Sequence, residues 1–423
     1  MDKINFKKGL GIGILAVAFW VLICPPVWGQ EFRVGTLFDH TGALKDWGPD
    51  FKKATELAIG QMAEAGFEMA VFHEDSGTDA QTAVAAANRL IEDQAVAAVL
   101  GSGSSGVIVP VAETVTCPKG VLMISPGATS PFISVLPADR NADLLFRTCP
   151  SDALQGVVLG KLAASRYQTA SIMYVNNPYG QGLTDQFRRS FQKRGGMVYS
   201  MIPHGETVAP TYIGDLRKAF ARVHLTKPFR SGKSDVLCVF SYPEHAKIYV
   251  KEAIQQFDCK DFLFCDGSKS AALAEAVGPE NLEGLMGTAP GVAGGEASFN
   301  FNSDFKAAYG HLPTIPFTAN AYDAAALLGL AAFAVQVKGI PLTSGNLRDQ
   351  LRAVSNPPGM FVGPGTFEKA FDLMRRGEPV NYEGASGSVD FDENGDVFAP
   401  IEIWKYSDRS EEHTSELQSL LII

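Results

Sequence analysis

From Phe32 onward, short runs of β-branched and apolar residues alternate with stretches of helical periodicity, and this alternation restricts the fold more than any other feature. FRVGTLF reads as a strand and WGPDFKKATELAIGQMAEAG as a helix, with Leu57 and Met62 among its inward positions. MAVFHED, VAAVLG and VLMISP read as further strands, and DAQTAVAAANRLIED and VIVPVAETV as further helices. Strands this continuously apolar must be covered on both faces, which implies a parallel sheet between helical layers. After LLFRTCP the alternation restarts. ASIMYVNN, MVYSMIP, DVLCVFSY and DFLFCDG read as strands, with helices near 181–193, 212–223, 245–257 and 270–277. The pattern therefore predicts two α/β sheets of similar size in succession. Two later helical stretches, SDFKAAYG and TANAYDAAALLGLAAFAVQV, carry no strands of their own. They need a sheet to cover, and the first lobe offers one, so the chain crosses between lobes more than once. NPPGMFVGPG reads as a loop, and GSVDF with DVFAPIEIWKY as a closing hairpin.

The N-terminus is of another kind. MDKINFKK, the apolar run GLGIGILAVAFWVLI and then PPVWGQ read as a signal peptide over residues 1–29, with Gly29 the last residue removed. A retained anchor is the competing reading, but the run is shorter than the roughly 20 residues of a spanning helix. Lipid on Cys24 is another, although Ile23 stands where a small residue is expected. Export implies a periplasmic protein and permits disulfides. Five cysteines remain after cleavage: Cys117, Cys149, Cys238, Cys259 and Cys265. Cys259 with Cys265, or Cys117 with Cys149, could pair, and spacing alone does not decide. A net charge of -10, with no dense basic run outside the N-terminus, argues against nucleic acid or anionic lipid as a partner.

GSGSSG, residues 101–106, matches G-x-G-x-x-G between a strand and a helix. A dinucleotide loop belongs on the first strand of its lobe with an acid ending the next strand. This one follows the third strand, and ISPGATSP comes next. What remains is a serine-rich loop at a helix N-terminus, suited to a small anion such as a carboxylate; the plainer alternative is a loop that only caps its helix. DFDENGD, residues 390–396, has the spacing of half a calcium loop, but Ile401 occupies the position that needs Glu. A turn at Asn394 and Gly395 is the better reading. No zinc spacing, G-x-S-x-G elbow or H-E-x-x-H helix occurs. The expectation is a binding protein, not an enzyme, with no cofactor and no metal.

The order TGALKDWG, GSGSSG, ISPGATSP, FRTCPSDALQG, NNPYGQG, SYPEHAKIYVKEA and FCDGSKS resembles the exported solute-binding proteins of the branched-chain amino acid ABC transport family, from about Phe32 to Tyr406. The resemblance implies a type I periplasmic binding fold, two doubly wound parallel-sheet lobes joined by three hinge crossovers near 148–151, 287–291 and 386–390, with the ligand between them. The lobes would divide as 30–148, 149–288, 289–385 back in lobe 1, and 386–408 closing lobe 2. It implies that Ser104 and Ser105 hold a ligand α-carboxylate and that Ala128 and Thr129 add backbone and hydroxyl contacts. Trp47 would form an aromatic wall on lobe 1, and Tyr179 and Tyr242 would close from lobe 2. Asp266, where the family usually has Glu, would pair with an α-ammonium; the shorter side chain leaves room for a water bridge or a different ligand. Against these roles stand plainer ones: core aromatics for Trp47 and Tyr242, a turn residue for Tyr179, a helix cap for Asp266. The implied function is a monomeric protein that delivers an amino acid to the membrane subunits of an ABC permease. Alternatives are a sensor serving a receptor in trans, or a binder of amides, urea derivatives or aromatic acids.

RSEEHTSELQS, residues 409–419, resembles a translated sequencing-adapter read, so residues 409–423 are expected to be foreign to the protein and to pack against nothing. Sequencing the native locus across the codon for Asp408 should show the frame departing from this tail; an uninterrupted frame encoding it would overturn the expectation.

Overall fold

β1 (Phe32–Phe38) is buried along nearly its whole length because it lies inside a sheet, paired in parallel with β2 (Met69–Asp75) on one side and β3 (Ala98–Gly101) on the other. β4 (Leu122–Ser125) and β5 (Leu145–Arg147) complete a five-stranded sheet in the order β2-β1-β3-β4-β5. The helices between them are α1 (Gly48–Glu64), α2 (Ala80–Glu92) and α3 (Ser105–Val111), the last running on through a π turn into α4 (Cys117–Lys119). The computed structural model describes residues 31–221, 233–291 and 293–407; the expected signal peptide, the end of the helix near 212–223 and the adapter-like tail lie outside them.

The second sheet repeats the plan. β6 (Thr169–Val175), β7 (Met197–His204), β8 (Val236–Phe240), β9 (Phe262–Phe264) and β10 (Met286–Pro290) run parallel, in the order β7-β6-β8-β9-β10. α5 (Asp152–Ala164), α6 (Pro178–Lys193), α7 (Ile213–Ala219), α8 (Pro243–Phe257) and α9 (Ala271–Val277) cover it. In both sheets the strand order reverses beside the first strand, and the crevice at the carboxyl ends of the strands there is where open α/β sheets bind ligands. α5 and α6 lie unusually close because of two glycines. A Cβ on Gly156 would sit 2.4 Å from Cβ of Gln186, and one on Gly160 would sit 2.6 Å from Cβ of Ser190.

After β10 the chain returns to the first sheet with α10 (Glu296–Tyr309) and α11 (Thr318–Val337). α11 is predominantly apolar and long enough to cross a membrane, yet it is buried from Thr318 to Val335, packed on α1, β3 and β4. It also fastens the connections. Asn320 Nδ2 donates to the Thr148 carbonyl at 2.6 Å while Thr148 Oγ1 donates to the Asn320 carbonyl at 2.8 Å. Asp323 accepts from Tyr382 Oη and from the amides of Ala385 and Ser386.

Three sequence expectations change here. NPPGMFVGPG contains β11 (Met360–Val362), which pairs with β12 (Val380–Gly384) between α12 (Ser344–Ser355) and α13 (Phe367–Arg375); β13 (Gly387–Ser388) adds a third strand. The closing hairpin does not form. β14 (Ile401–Lys405) pairs antiparallel with the distant β10, and residues 389–397, expected with lobe 2, pack beside β5: Phe391 meets Phe146 edge-on at 5.0 Å, and the Gly395 carbonyl accepts from the Arg147 amide. The five described cysteines are all free. Cys259 and Cys265 cannot meet because β9 runs extended between them at roughly 3.3 Å per residue, whereas a disulfide needs Cα atoms within about 7 Å.

Gly156→Leu should lower the unfolding free energy by roughly 1–3 kcal/mol, because the α5–α6 contact has no space for a side chain. Guanidinium unfolding measures it, and unchanged stability would mean that the helices separate without penalty.

Candidate functional site

The lobe 1 wall of the cleft consists of three loops at strand ends, tied by Asp39. Its buried carboxylate accepts from Ser76 Oγ at 2.5 Å, Ser102 Oγ at 2.7 Å and the Gly103 amide at 2.9 Å, which fixes the course of GSGSSG. Burial still dominates these bonds and raises the Asp39 pKa. Gly103 lies against Trp47, where a Cβ would stand 3.1 Å from the indole. The ISPGATSP loop is laced to GSGSSG by Ser125 Oγ donating to the Ser102 carbonyl at 2.7 Å and by the Ser130 amide donating to Ser105 Oγ at 3.2 Å.

Arg147 holds that loop from below. The fully buried guanidinium donates to the carbonyls of Ala128 and Ser130, to Ser134 Oγ, and in a two-pronged pair to Asp396 at 2.7 and 2.9 Å. All five N–H groups of the fork are thus engaged.

From lobe 2, Tyr179 and Tyr242 stack with ring centres 5.4 Å apart. Tyr242 Oη reaches across the cleft to Ser104 Oγ at 2.9 Å and accepts from Asn177 Nδ2 at 3.0 Å. Tyr179 Oη donates to Asp266 Oδ1 at 2.9 Å, and Gln155 Nε2 donates to the same oxygen at 2.7 Å. Gln155 stands one helical turn after Asp152, whose Oδ2 accepts from Thr129 Oγ1 at 2.8 Å. Asp152 Oδ1 and Gln155 Oε1 are buried acceptors with no hydrogen-bond partner. Burial pushes Asp266 up to about 6, against the pull of the Tyr179 and Gln155 hydrogen bonds. Asp152 is raised as well, by burial and then by the like charge of Asp266. The cleft is therefore rich in acceptors and in latent negative charge.

The structure places the eight expected site residues as follows. Ser104, Tyr179, Tyr242 and Asp266 converge through the contacts just described. Thr129 joins them through Asp152. Ser105 is engaged in bracing the neighbouring loop. Both backbone groups of Ala128 are occupied, its amide by Ser125 Oγ and its carbonyl by Arg147. Trp47 is almost wholly buried between Phe51 and Phe317. Sequence reasoning assigned no role to Asp39, Arg147, Asp152, Gln155 or Asn177. The signal for Asp152 and Gln155 was available: a polar pair at spacing three on one face of the helix that begins within FRTCPSDALQG.

A family model described as periplasmic binding protein matches residues 31–377. The chain belongs to the periplasmic binding protein family. Among relatives of this binding protein, the chemotactic signal transduction system substrate-binding protein BasB of Halobacterium salinarum is 28% identical over 86% of the chain and 84% of the relative. Leu/Ile/Val-binding protein homolog 2 of Brucella abortus is 29% identical over 61% of the chain and 66% of its own length. In fold, the binding protein is similar to a leucine binding protein from Thermotoga maritima, with a TM-score of 0.69 at 21% identity, covering 89% and 95% of the two chains. It is also similar to a solute binding protein from R. palustris in complex with benzoate, with a TM-score of 0.70 at 17% identity, covering 90% and 94%. The two-lobed α/β architecture is that of type I periplasmic binding proteins.

A carboxyl group whose folded pKa exceeds its unfolded value of about 3.9 holds its proton more tightly when folded, so charging it between about pH 4 and about pH 6 removes stability. In the absence of ligand, Asp266→Asn should be more stable than the parent by roughly 1–3 kcal/mol at about pH 7.5, the difference vanishing below about pH 4. Denaturant unfolding at both pH values measures this, and a difference independent of pH would rule it out.

Proposed function

We propose that the protein is the exported, periplasmic solute-binding component of an ABC importer, and that it captures an amino acid by hinge closure and presents the closed form to a permease. The reading rests on one observation above all: a buried pair of carboxylates, Asp152 and Asp266, with orphaned acceptor oxygens beside them. Arg147, the guanidinium nearest in sequence, is consumed by Asp396 and two carbonyls. Acceptors left without donors in a buried site favour a ligand that brings N–H donors and positive charge. Opposite them, Ser104 and the serine-rich loop suit a carboxylate. A zwitterion matches both ends. In this mechanism the open protein binds ligand on the lobe 1 loops, and lobe 2 then swings in Tyr179, Tyr242 and Asp266. The solved benzoate complex of similar fold marks aromatic acids as the nearest alternative ligands, and the acid pair disfavours a ligand that carries only negative charge.

A second reading is a sensory module that reports its ligand to a receptor in trans. The similarity to a chemotactic substrate-binding protein over most of both chains favours it. The two readings share the pocket and differ in the partner.

Calorimetric titration with a panel of amino acids and amine-free acids tests the ligand. Binding of one or more amino acids is expected, with Asp266→Ala weakening them by about tenfold or more while leaving plain carboxylates little changed. Tight binding of an amine-free acid, with no response to any amino acid, would overturn the assignment.

A further inference from the structure

Outside the pocket, four charged side chains meet across the outer edge of the cleft. On lobe 1, Lys45 and Asp46 follow the short turn Gly42–Leu44, immediately before Trp47, and that turn packs on α8. On lobe 2, Glu244 and Lys247 occupy the first turns of α8, immediately after Tyr242. Lys45 Nζ lies 2.9 Å from Glu244 Oε2, and Lys247 Nζ lies 3.2 Å from Asp46 Oδ2; Lys247 also pairs with Glu244 on its own helix. The order is positive then negative on one lobe, and negative then positive on the other. Glu244 and Lys247 are mostly shielded, with side chains 17% and 20% exposed, while Lys45 and Asp46 reach in from solvent at 50% and 41%.

We infer that Lys45, Asp46, Glu244 and Lys247 form a charge-matched latch that sets how firmly the lobes close, and through closure the ligand affinity, without touching the ligand. The inference rests on the solute-binding reading above. Two features take these pairs beyond ordinary surface ion pairs. Each pair joins the segment after the Gly42–Leu44 turn of lobe 1 to α8 of lobe 2, so neither forms unless the lobes meet. Partial burial also shapes Glu244: it opposes the charged form, yet the ammonium groups of Lys247 and Lys45 outweigh it and hold the carboxyl below its ordinary range. A closed-only contact stabilises the closed state alone, and whatever shifts closure shifts apparent affinity by the same factor.

Charge reversal tests this by titration with the tightest ligand of the panel. Asp46→Lys places like charges opposite Lys247, and Lys247→Glu places them opposite Asp46; each should weaken binding roughly three- to tenfold. The double variant Asp46→Lys/Lys247→Glu restores opposite signs, Lys45 and the new lysine facing Glu244 and the new glutamate, and should recover to within about twofold of the parent. Added salt should weaken the parent and have little effect on Lys45→Gln/Lys247→Gln. Single variants equal to the parent, or a double variant no better than the worse single, would overturn the latch. Small-angle scattering of the same proteins without ligand separates this from failure of the ligand reading. If the parent binds no compound of the panel, the latch still requires the single variants to be more open than the parent and the double variant to close again, and identical scattering profiles would overturn it.

Discussion

The buried guanidinium of Arg147 is the interaction on which the walls of the inter-lobe cleft depend. It stands at the last residue of β5, where the chain is about to leave lobe 1, and grips two carbonyls of the ISPGATSP loop. Its counter-ion Asp396 comes from the turn that precedes the last crossing into lobe 2. One side chain thus joins the ISPGATSP loop, the exit of the first crossover and the approach to the third. A buried ion pair adds little net stability compared with apolar packing, but removing either partner strands the other without water. Its value here is geometric: the two-pronged pair admits few arrangements, so the loop has few places to go.

On that frame the two lobes contribute different chemistry. Lobe 1 offers backbone and small hydroxyls braced by Asp39, in a loop whose glycine at 103 lets the indole of Trp47 approach. Lobe 2 offers two stacked tyrosines, one of them bonded to an acid. The Asp152–Asp266 pair is held out of water, which costs stability and raises both pKa values, and the like charge of Asp266 adds to the rise at Asp152. Such a pair makes physical sense where a cationic ligand group relieves the repulsion, and functional sites commonly sacrifice stability in this way.

Much of this was legible beforehand where the signal was local. The strands β1, β3, β4, β6, β8 and β9 announced themselves by apolar runs ending in Gly, Ser, Asp or Asn. The loops that follow them, GSGSSG, ISPGATSP and NNPYGQG, reach the cleft because strand ends must. Elements defined by distant partners were not legible. β14 reads as half of a hairpin until its pairing with β10, more than 100 residues earlier, is known. β11 looks like a loop because Pro and Gly surround three residues whose ladder is with the distant β12. Asp39 and Arg147 stand at strand ends, and nothing in their sequence neighbourhood names the loops they hold.

The sequence by itself determined the α/β class of parallel sheets covered on both faces, the return of a predominantly apolar helix to the first sheet, and the set of loops that carry polar residues to the strand ends. Those follow from periodicity and from the need to bury apolar surface, which act over one or two elements at a time. Only the tertiary structure decided that Ser104 meets Tyr242, that Asp152 and Asp266 share a buried site, that Asp396 answers Arg147, and that Lys45 finds Glu244. Those partners are separated by 138, 114, 249 and 199 residues, and no local rule reaches so far. Hydrogen bonds and charges act over a few ångströms, so they are assigned only once packing has fixed which strand ends face one another.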